Sequence, residues 1–496
     1  MRISLLIIMA VILAFTACRK DEQINTDSGL MLEFSRDTVL FDTVFTTVGT
    51  ATQLLKVYNR SNQAAEVSSI YLGEGQGSAY RINVDGDPGH SFSDVLIQGE
   101  DSIFIFIEVT IDPNGINTPL IEMDSLVFVT NGNEQHVDLV AWGQDACFYN
   151  PTNDISGLPP LTCLDGDCLN EEPPVDITWT NEKPIVIYGY LVIDEFDKLT
   201  IEAGTQIFLH EGSGIWVWEG GQLTVNGTAE APVVFQHDRP EELYDDIPGQ
   251  WDLIRINEGP VGQDNELNHV IIKNSIIGIE AKPLVLQEED IDKPTSENQL
   301  ILNNCIIQQT TAFGLLARKY RISATNCLFA NSGQQTVGIS GGGAYDFTHC
   351  TMGNYWIWSN RTEPSFFMSD LYLDEAGNPN QAFIESFSAK NCIMYGNTFE
   401  EFLVDLSEFQ PTEDIVFSYC MVRVDEMDIS DETIYQDMYS NEFFGPGFIA
   451  PSENDFHLEE DAFVIDKGDP GFFLGEDLEG NLRTPPGDLG CYEYSE

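Results

Sequence analysis

The order of apolar and polar residues divides the chain into two β-rich parts. Between about residues 31 and 145 they alternate in short runs, such as Asp37 to Val48 and Ser102 to Val109. A period of two places successive side chains on opposite faces of a strand, and β-branched and aromatic residues favour strands. The pair Asn131-Gly132 favours a tight hairpin between two of these runs. Roughly seven short strands are predicted over this region, which indicates a β-sandwich.

The second half of the chain contains a repeat. One position of the repeat holds valine in the first copy and cysteine in the next five: Val270, Cys305, Cys327, Cys350, Cys392 and Cys420. The two shortest intervals are 22 and 23 residues, and we interpret the intervals of 28, 35 and 42 residues as the same unit with an inserted loop. Each unit is a short β-rich run without a segment of helix length. This pattern predicts a parallel β-helix, in which each coil stacks on the one before it.

The shared position of the repeat is predicted to face the core. A position that accepts Val as well as Cys suits a small apolar slot, because a free cysteine behaves as a small hydrophobe. We therefore expect stacked, buried thiols and not a metal or redox site. The residues that precede the cysteines differ in size and polarity, so we expect them to face outward or to hold a corner: Asn304, Asn326, His349, Asn391 and Tyr419.

The block before the repeat contains two Gly-Thr corners, Gly204-Thr205 and Gly227-Thr228, each beside apolar runs. Glycine suits such corners because it adopts positive φ at little steric cost. This block resembles the opening coils of bacterial right-handed parallel β-helix proteins, and residues 455–493 resemble their closing segment. The resemblance implies a right-handed β-helix over 177–496 with a C-terminal cap. A cap is also needed physically, because a bare last coil would expose unpaired strand edges.

Residues 146–176 are predicted to form a linker. They contain five prolines, which interrupt strands and helices and favour extended backbone. Cys163 and Cys168 could close a small disulfide loop in an exported protein, although the pairing among these two and Cys147 stays open. Asp165 and Asp167 lie within that loop but lack the residue placement of an EF-hand. No metal site is predicted, and Ca²⁺ binding remains an open alternative.

The N-terminus predicts export. Arg2 precedes an apolar run that is too short to be a permanent transmembrane helix, and the run ends at Thr16-Ala17-Cys18. This ending resembles the lipobox of bacterial lipoproteins; an ordinary secretory peptide is the alternative. Residues 18–22 resemble the surface-export signal of Bacteroidetes lipoproteins. The resemblances imply a signal peptide over 1–17, a lipid on Cys18, a tether over 18–30 and a location on the outer face of the outer membrane. Residues 31–145 also resemble the immunoglobulin-like and Hydin-like sandwiches of bacterial surface proteins.

The charge balance excludes one class of partner. The chain has 22 Lys and Arg residues against 81 Asp and Glu, for a net charge of −59. Nucleic-acid binding depends on Lys and Arg that neutralise phosphates, so a nucleic-acid partner is excluded. The acidity is typical of a soluble, salt-tolerant surface, and clustered carboxylates for Ca²⁺ are the alternative explanation.

Two pairs of tryptophans are candidate ligand-binding residues. Trp216 and Trp218 flank Val217, and Trp356 and Trp358 flank Ile357. In a strand, both members of a pair project from the same face. If the intervening residue points to the core, the tryptophans point outward, where they could stack on sugar rings or on a partner protein. The alternative is that a neighbouring domain or an inserted loop covers them.

The only basic cluster in the sequence is Arg318-Lys319-Tyr320-Arg321. Polysaccharide lyases with a β-helix fold use Lys or Arg as a base and to neutralise a uronate, so Arg318, Lys319 and Arg321 are candidate catalytic residues. Solvated charges at a corner are the alternative. The motifs of better-known β-helix enzymes, including the aspartate sets of polygalacturonases and an Asp–His dyad, are absent.

Two functional hypotheses follow. In the first, a lipid-anchored surface protein uses the β-helix as a rod that binds glycan, matrix or a partner protein and has no enzymatic activity. In the second, the β-helix is a polysaccharide lyase or hydrolase that acts on an acidic polysaccharide at a divergent site. The absence of known motifs favours the first hypothesis, because a fold alone does not imply an activity.

Overall fold

The computed structural model describes residues 23–45, 52–111, 120–166, 168, 173–239, 244–286, 290, 292–374, 376–441, 445–472 and 474–495. The predicted all-β fold is confirmed, and the helices include only short 3-10 turns such as Gly75–Gly77 and Pro451–Glu453. The chain divides into two compact units between Asp145 and Ala146. Each unit is described below by itself.

The first unit consists of ten strands. They are β1 Glu33–Phe34, β2 Thr38–Phe45, β3 Gln53–Asn59, β4 Ala65–Leu72, β5 Tyr80–Val84, β6 Asp87–Gly89, β7 Ser91–Ile97, β8 Asp101–Val109, β9 Leu120–Thr130 and β10 Asn133–Gln144. One sheet has the order β1-β3-β8-β5-β6 and the other β2-β10-β9-β4-β7. Alternate residues of both sheets enter one shared core. The ring centroids of Phe34 and Phe128, from opposite sheets, lie 4.8 Å apart, so the sheets form the predicted sandwich.

The second unit begins with β11 and contains a series of short strands. They are β11 Cys147–Tyr149, β12 Leu161–Cys163, β13 Asp176–Trp179, β14 Ile185–Ile187, β15 Tyr190–Ile193, β16 Lys198–Glu202, β17 Gln206–Leu209, β18 Gly214–Val217, β19 Gln222–Asn226, β20 Val233–His237, β21 Ile254–Ile256, β22 Asn265–Asn268, β23 Val270–Lys273, β24 Ile277–Ala281, β25 Gln299–Asn303, β26 Ile306–Thr310, β27 Phe313–Ala317, β28 Arg321–Thr325, β29 Leu328–Ser332, β30 Val337–Ser340, β31 Gly343–Thr348, β32 Thr351–Asn354, β33 Phe366–Ser369, β34 Leu371–Leu373, β35 Pro379–Gln381, β36 Ile384–Lys390, β37 Ile393–Gly396, β38 Phe402–Asp405, β39 Ile415–Ser418, β40 Met421–Val422, β41 Tyr435–Gln436, β42 Tyr439–Ser440, β43 Phe448–Ala450 and β44 Asp455–Leu458.

Most of these strands form three parallel sheets, whereas β34–β35 and β43–β44 form two small antiparallel sheets. The first sheet is β11-β14-β17-β20-β23-β26-β29-β32-β37-β40-β42, the second β12-β15-β18-β21-β24-β27-β30-β33-β38, and the third β13-β16-β19-β22-β25-β28-β31-β36-β39-β41. Each coil contributes one strand to each sheet, which is the architecture of a parallel β-helix. Ile306 pairs with Leu328 and Leu328 with Thr351, so the predicted period of 22 to 23 residues is the length of one coil.

The solenoid begins earlier than the sequence indicates. Strands β11 and β12 lie within residues 146–176, which were predicted to be a linker, yet they pair in parallel with β14 and β15 of the next coil. Three of the five prolines lie between β11 and β12 and two lie between β12 and β13, so none of them interrupts the pairing. Cys163 and Cys168 are joined by a disulfide, and Cys147 is a free, exposed thiol.

The repeated cysteines lie in the core, as predicted. All five are buried together with Val270, in the corner that leads from the third sheet to the first. The residue before each of these positions has φ between 48° and 56°, the left-handed conformation that Asn adopts more readily than most residues. The Asn and His residues of the sequence repeat therefore hold corners. Burial raises the pKa of the Cys305, Cys350 and Cys420 thiols, which keeps them neutral.

The C-terminal segment lies along the side of the solenoid. Its apolar residues form a separate core with outward-facing residues of the first sheet, among them Leu328, Ile393 and Met421. The Asn304 and Asn326 side-chain amides donate to backbone oxygens of this segment, each at 2.9 Å. This segment therefore does not form the expected cap over the last coil. Partly buried apolar residues from an earlier part of the chain pack against the solenoid core instead: Met427, Ile429, Ile434 and Met438.

A buried ion pair fixes one of the inserted loops. Arg361 lies in the loop between β32 and β33, and its side chain is 2% exposed, while that of Glu401 is fully buried. Their two hydrogen bonds are 2.6 and 2.9 Å long. Glu401 also accepts the backbone N–H groups of Ser365 and Thr398, so the carboxylate satisfies several donors at once. The loop is thus attached to the solenoid by a fully desolvated charge pair.

We expect the cysteine positions to tolerate an apolar residue but not a charge. Cys350→Val should change the free energy of unfolding by less than about 1.5 kcal/mol, because Val already fills this slot at position 270. Cys350→Asp should cost more than about 4 kcal/mol because it buries an unpaired carboxylate. Urea unfolding measures both. The ladder thiols should react with a thiol reagent only on unfolding, and rapid modification of the native protein would contradict this assignment.

Removing one partner of the Arg361–Glu401 pair should destabilise the protein strongly. Glu401→Ala leaves a buried guanidinium without its counter-ion, at an expected cost of about 3–5 kcal/mol in the free energy of unfolding. Glu385→Ala is the matched control, because its pair with Arg321 is about 40% exposed on both sides and should contribute less than about 1 kcal/mol. Equal effects of the two substitutions in urea unfolding would refute the distinction.

Candidate functional site

Two of the predicted basic residues lie in a cleft on the outer side of the second sheet. Ala281 of β24 pairs with Ala317 of β27, so the residues that follow them, Lys282 and Arg318, are neighbours on adjacent coils. The Arg318 backbone N–H donates to the Ala281 carbonyl at 3.0 Å, which extends the pairing to the corner. Lys319 follows with φ of 46° and turns its side chain into the same cleft. The stacking of the coils thus brings three cations together in one cleft.

Two inserted loops build the walls of this cationic cleft, whose cavity volume is about 20 Å³. The loop between β24 and β25 contributes Pro283, Val285 and Asp290. The hairpin β34–β35, inserted between β33 and β36, contributes Tyr372 and Asp374. These are two of the insertions that lengthen the sequence repeat to 35 and 42 residues. The cleft therefore exists because of the insertions.

The cations of the cleft pack on an aromatic ring. The Arg318 guanidinium lies 4.4 Å from the centroid of the Tyr372 ring, and Lys319 Nζ lies 5.8 Å from it. Arg318 Nε is buried, and it has no hydrogen-bond partner among the described residues. Lys319 Nζ donates to the Lys293 carbonyl at 3.0 Å. Burial lowers the pKa of Lys319 and raises that of Tyr372, so both groups are partly withdrawn from water.

A row of paired charges continues from the cationic cleft along the second sheet. Lys282 Nζ lies 3.1 Å from Glu280, whose other oxygen lies 2.6 Å from Arg255 Nε. Burial opposes ionisation of Glu280, but the two cations outweigh it and lower the pKa of this carboxyl. Lys293 pairs with Glu219 at 3.0 Å and with Glu258. These carboxylates hold the lysines in place and offer acceptors for hydroxyl groups beside the cleft.

Arg321 does not belong to this site. It begins β28 of the third sheet and pairs with Glu385 at 2.9 Å, in a groove that also contains Asp346 and Asp414. The residue between the clusters, Tyr320, is buried and marks the corner where the chain changes sheet. The prediction that Arg318, Lys319 and Arg321 act together is therefore wrong, because a corner directs Arg321 to another face.

The first tryptophan pair is covered. Trp216 points out of the second sheet as predicted, but it is only 4% exposed because Leu161 and Leu284 from other segments pack over it. Its indole N–H donates to Asn257 Oδ1 at 2.6 Å, and the Arg255 guanidinium lies 5.1 Å from the ring. Trp218 is half-buried beside it, at 4.8 Å between ring centroids. The prediction that both rings are open to a ligand is wrong for Trp216.

The second tryptophan pair is split. Residues 355–357 follow β32 and do not form a strand, so the period of two does not apply to them. Trp356 is 6% exposed and donates to Ser359 Oγ at 2.9 Å, whereas Ile357 and Trp358 are exposed. The prediction of an outward-facing pair fails for Trp356. Trp358, 52% exposed, remains a candidate for contact with a ligand.

The remaining predicted features lie outside these sites. Cys18, the predicted lipidation residue, is outside the described residues. Within the described ranges, no group of three or more His, Cys, Asp or Glu residues is arranged to hold a metal ion. In the same part of the chain, no helix has the length and apolarity needed to cross a membrane. The sequence did not indicate three residues of the cleft: Lys282, Tyr372 and Asp374. The last two belong to the hairpin β34–β35, and the 42-residue interval was the one sequence signal of that hairpin.

Comparisons with known proteins add little to this description. No protein-family model and no curated protein matches the sequence. Among solved structures, partial matches include a family 123 glycoside hydrolase from Clostridium perfringens, described as acting in glycolipid glycan hydrolysis (9% identity, 23% of this chain and 27% of that chain, TM-score 0.17). Others are the Escherichia coli chaperone DraB (10% identity, 24% of this chain and 55% of that chain, TM-score 0.17) and a PapD-like domain of human CEP192 (8% identity, 26% of this chain and 94% of that chain, TM-score 0.17). The chain thus spans about a quarter of that hydrolase and about half of DraB, and similarity at this level carries no argument about function.

Proposed function

We propose that this protein is a surface lipoprotein whose β-helix binds an acidic glycan in the cationic cleft. The observation that carries the proposal is the convergence of Lys282, Arg318 and Lys319 in one cleft of a chain with a net charge of −59. Lys282 is already paired with Glu280, so the anion of a ligand would be attracted chiefly to Arg318 and Lys319 beside the Tyr372 ring. A carboxylate or sulfate group on a sugar would supply that anion.

The other groups of the cleft support a sugar and not a bare ion. Asp290 and Asp374 can accept hydrogen bonds from hydroxyl groups, and Val285 and Pro283 offer apolar contact to the carbon face of a ring. The Arg318 guanidinium, 4.4 Å from the centroid of the Tyr372 ring, carries N–H groups in the fork arrangement that suits a carboxylate. Together these groups favour a uronate-containing polymer over a protein partner.

The predicted export signal supports the location. The run from Arg2 to Cys18 and the five residues from Cys18 to Glu22 resemble the export signal of a lipid-anchored surface protein. In this proposal the lipid on Cys18 holds the chain to the outer face of the outer membrane, where extracellular glycans are accessible. The sandwich unit follows the tether in sequence and precedes the solenoid.

One observation favours the alternative of a polysaccharide lyase. Burial lowers the pKa of Lys319, and a lysine with a lowered pKa can act as a base on the carbon next to a carboxylate. Arg318 would then neutralise that carboxylate. Incubation with polygalacturonate separates the hypotheses, because a lyase releases unsaturated sugars that absorb ultraviolet light, whereas a binding protein leaves the polymer unchanged.

The cleft assignment predicts that neutralising its cations weakens glycan binding. Arg318→Gln and Lys282→Gln should each weaken binding of polygalacturonate roughly tenfold or more, because a hydrogen bond to a charged group contributes about 1.5–3 kcal/mol. Binding should also weaken as salt rises. Isothermal titration calorimetry measures both effects, with neutral dextran as the control polymer.

Arg321→Gln is the matched control for this experiment. It removes the same charge three positions away, on a different sheet and paired with Glu385, so polygalacturonate affinity should not change. The proposal fails if Arg321→Gln weakens binding as much as Arg318→Gln, or if the unaltered protein binds dextran and polygalacturonate alike.

A further inference from the structure

A second cavity lies at the corner that follows the first sheet, far along the sequence from the cationic cleft. Its cavity volume is about 190 Å³, and its lining includes His210, Glu211, His237, Asp238, Arg239 and Gln250. Leu209 of β17 pairs with His237 of β20, so the residues that follow them, His210 and Asp238, are neighbours on adjacent coils. The sequence analysis found no Asp–His dyad, because coil stacking and not a motif brings these two together.

His210 and Asp238 form a directed hydrogen bond. His210 Nδ1 lies 2.7 Å from Asp238 Oδ2, and since an ionised carboxylate only accepts, Nδ1 carries the proton. The Asp238 side chain is largely buried, whereas that of His210 is 46% exposed. The Tyr188 ring from the preceding coil packs on the imidazole, with 4.8 Å between ring centroids. The ring is thus held on two sides, and Nε2 is the nitrogen left to exchange a proton.

The other histidine of the cavity has a different role. His237 is buried, and its Nδ1 accepts the backbone N–H of Arg239 at 3.0 Å. Burial lowers the pKa of His237 to about 4, so it stays neutral near pH 7. The hydrogen bond to Asp238 instead raises the pKa of His210. Of these two histidines, His210 is the one that changes charge near neutral pH.

We propose that His210 and Asp238 form a general acid–base site that hydrolyses a neutral acyl ester, such as an O-acylated sugar, with water as the nucleophile. The cavity lining contains no Ser, Thr or Cys among the described residues, so an activated water takes the place of a side-chain nucleophile. Glu211 and the strong negative charge of the chain disfavour an anionic substrate here. This inference does not depend on the function of the cationic cleft.

The reaction requires only groups that line the cavity. Neutral His210 removes a proton from water through Nε2 while the water oxygen bonds to the acyl carbon, and the carbonyl electron pair moves to its oxygen. Arg239 and Gln250 carry N–H groups that can donate to that oxygen. The electron pair on that oxygen then re-forms the carbonyl as the bond to the alcohol oxygen breaks, and the alcohol oxygen takes the proton from Nε2. Ester and water thus yield acid and alcohol, and His210 returns to its starting state.

Asp238 is a positioning residue in this scheme, because its carboxylate orients the His210 imidazole. The groups that face His210 are Tyr188 from the preceding coil, Glu211 from its own coil, and His237, Asp238 and Arg239 from the following coil. His210 must be neutral to accept a proton, so activity should rise with pH through its pKa. Asp238→Asn removes the group that raises this pKa, and the rise should move to lower pH.

The test uses 4-nitrophenyl acetate as a neutral chromogenic ester and the purified protein. Hydrolysis should exceed that of an equal concentration of 4-methylimidazole, and His210→Ala should lower the rate about 100-fold or more. Added imidazole should restore part of the activity of His210→Ala. The pH profiles of the unaltered protein and of Asp238→Asn should differ in midpoint as well as in height.

His457→Ala is the matched control. His457 Nδ1 also lies 2.7 Å from a carboxylate, Asp455, but its Nε2 lies 3.3 Å from Glu479 and so is already engaged. Its removal should leave ester hydrolysis unchanged. The proposal is overturned if the protein is no faster than free 4-methylimidazole, if His457→Ala and His210→Ala lower the rate equally, or if imidazole does not rescue His210→Ala.

Discussion

The structure depends on one constraint, the in-register hydrogen bonding of each coil to the next. Parallel pairing at a spacing of about 4.8 Å forces the side chains of paired residues to stack on one another along the solenoid. Inward positions must therefore be apolar in every coil, and outward positions must suit their neighbours above and below. Trp216, Arg255 and Glu280 occupy consecutive rungs and follow this rule, since an aromatic ring meets a cation and the cation meets an anion.

The same constraint explains how both candidate sites arise. Residues far apart in sequence become neighbours when they follow paired strands, as Lys282 and Arg318 do in the cleft and His210 and Asp238 in the second cavity. The two sites differ in charge. In the first, three cations outnumber the carboxylates Asp290 and Asp374, whereas in the second the carboxylates Glu211 and Asp238 outnumber the one arginine, Arg239. A chain that both binds a glycan and removes its acyl groups would need this difference, because binding and hydrolysis would act on different parts of the polymer.

Features that depend on local sequence could be predicted, and features that depend on covering segments could not. The period of the repeat, the buried cysteines and the corner positions before them follow from residue type and spacing. The burial of Trp216 depends on Leu161 and Leu284, which come from other segments, and no periodicity reveals that contact. The proline content of residues 146–176 favours a linker, but three of the five prolines fall between β11 and β12 and two between β12 and β13, which leaves the strands intact. The cleft could not be predicted because one of its walls is a hairpin, and the sequence indicated that hairpin only as a long interval in the repeat.

The C-terminal segment alters how the coils behave as a group. A simple solenoid is a one-dimensional array in which each coil contacts only its neighbours, and its end can fray without disturbing the middle. Here residues 469–477 bond to corners as far apart as Asn304 and Asn391, and Arg483 donates to Asn326 from a buried position. Opening one of these coils would break contacts to the shared segment, so the coils from 305 to 420 are joined into one cooperative unit. That coupling opposes the fraying from which proteolytic cleavage of a solenoid would begin.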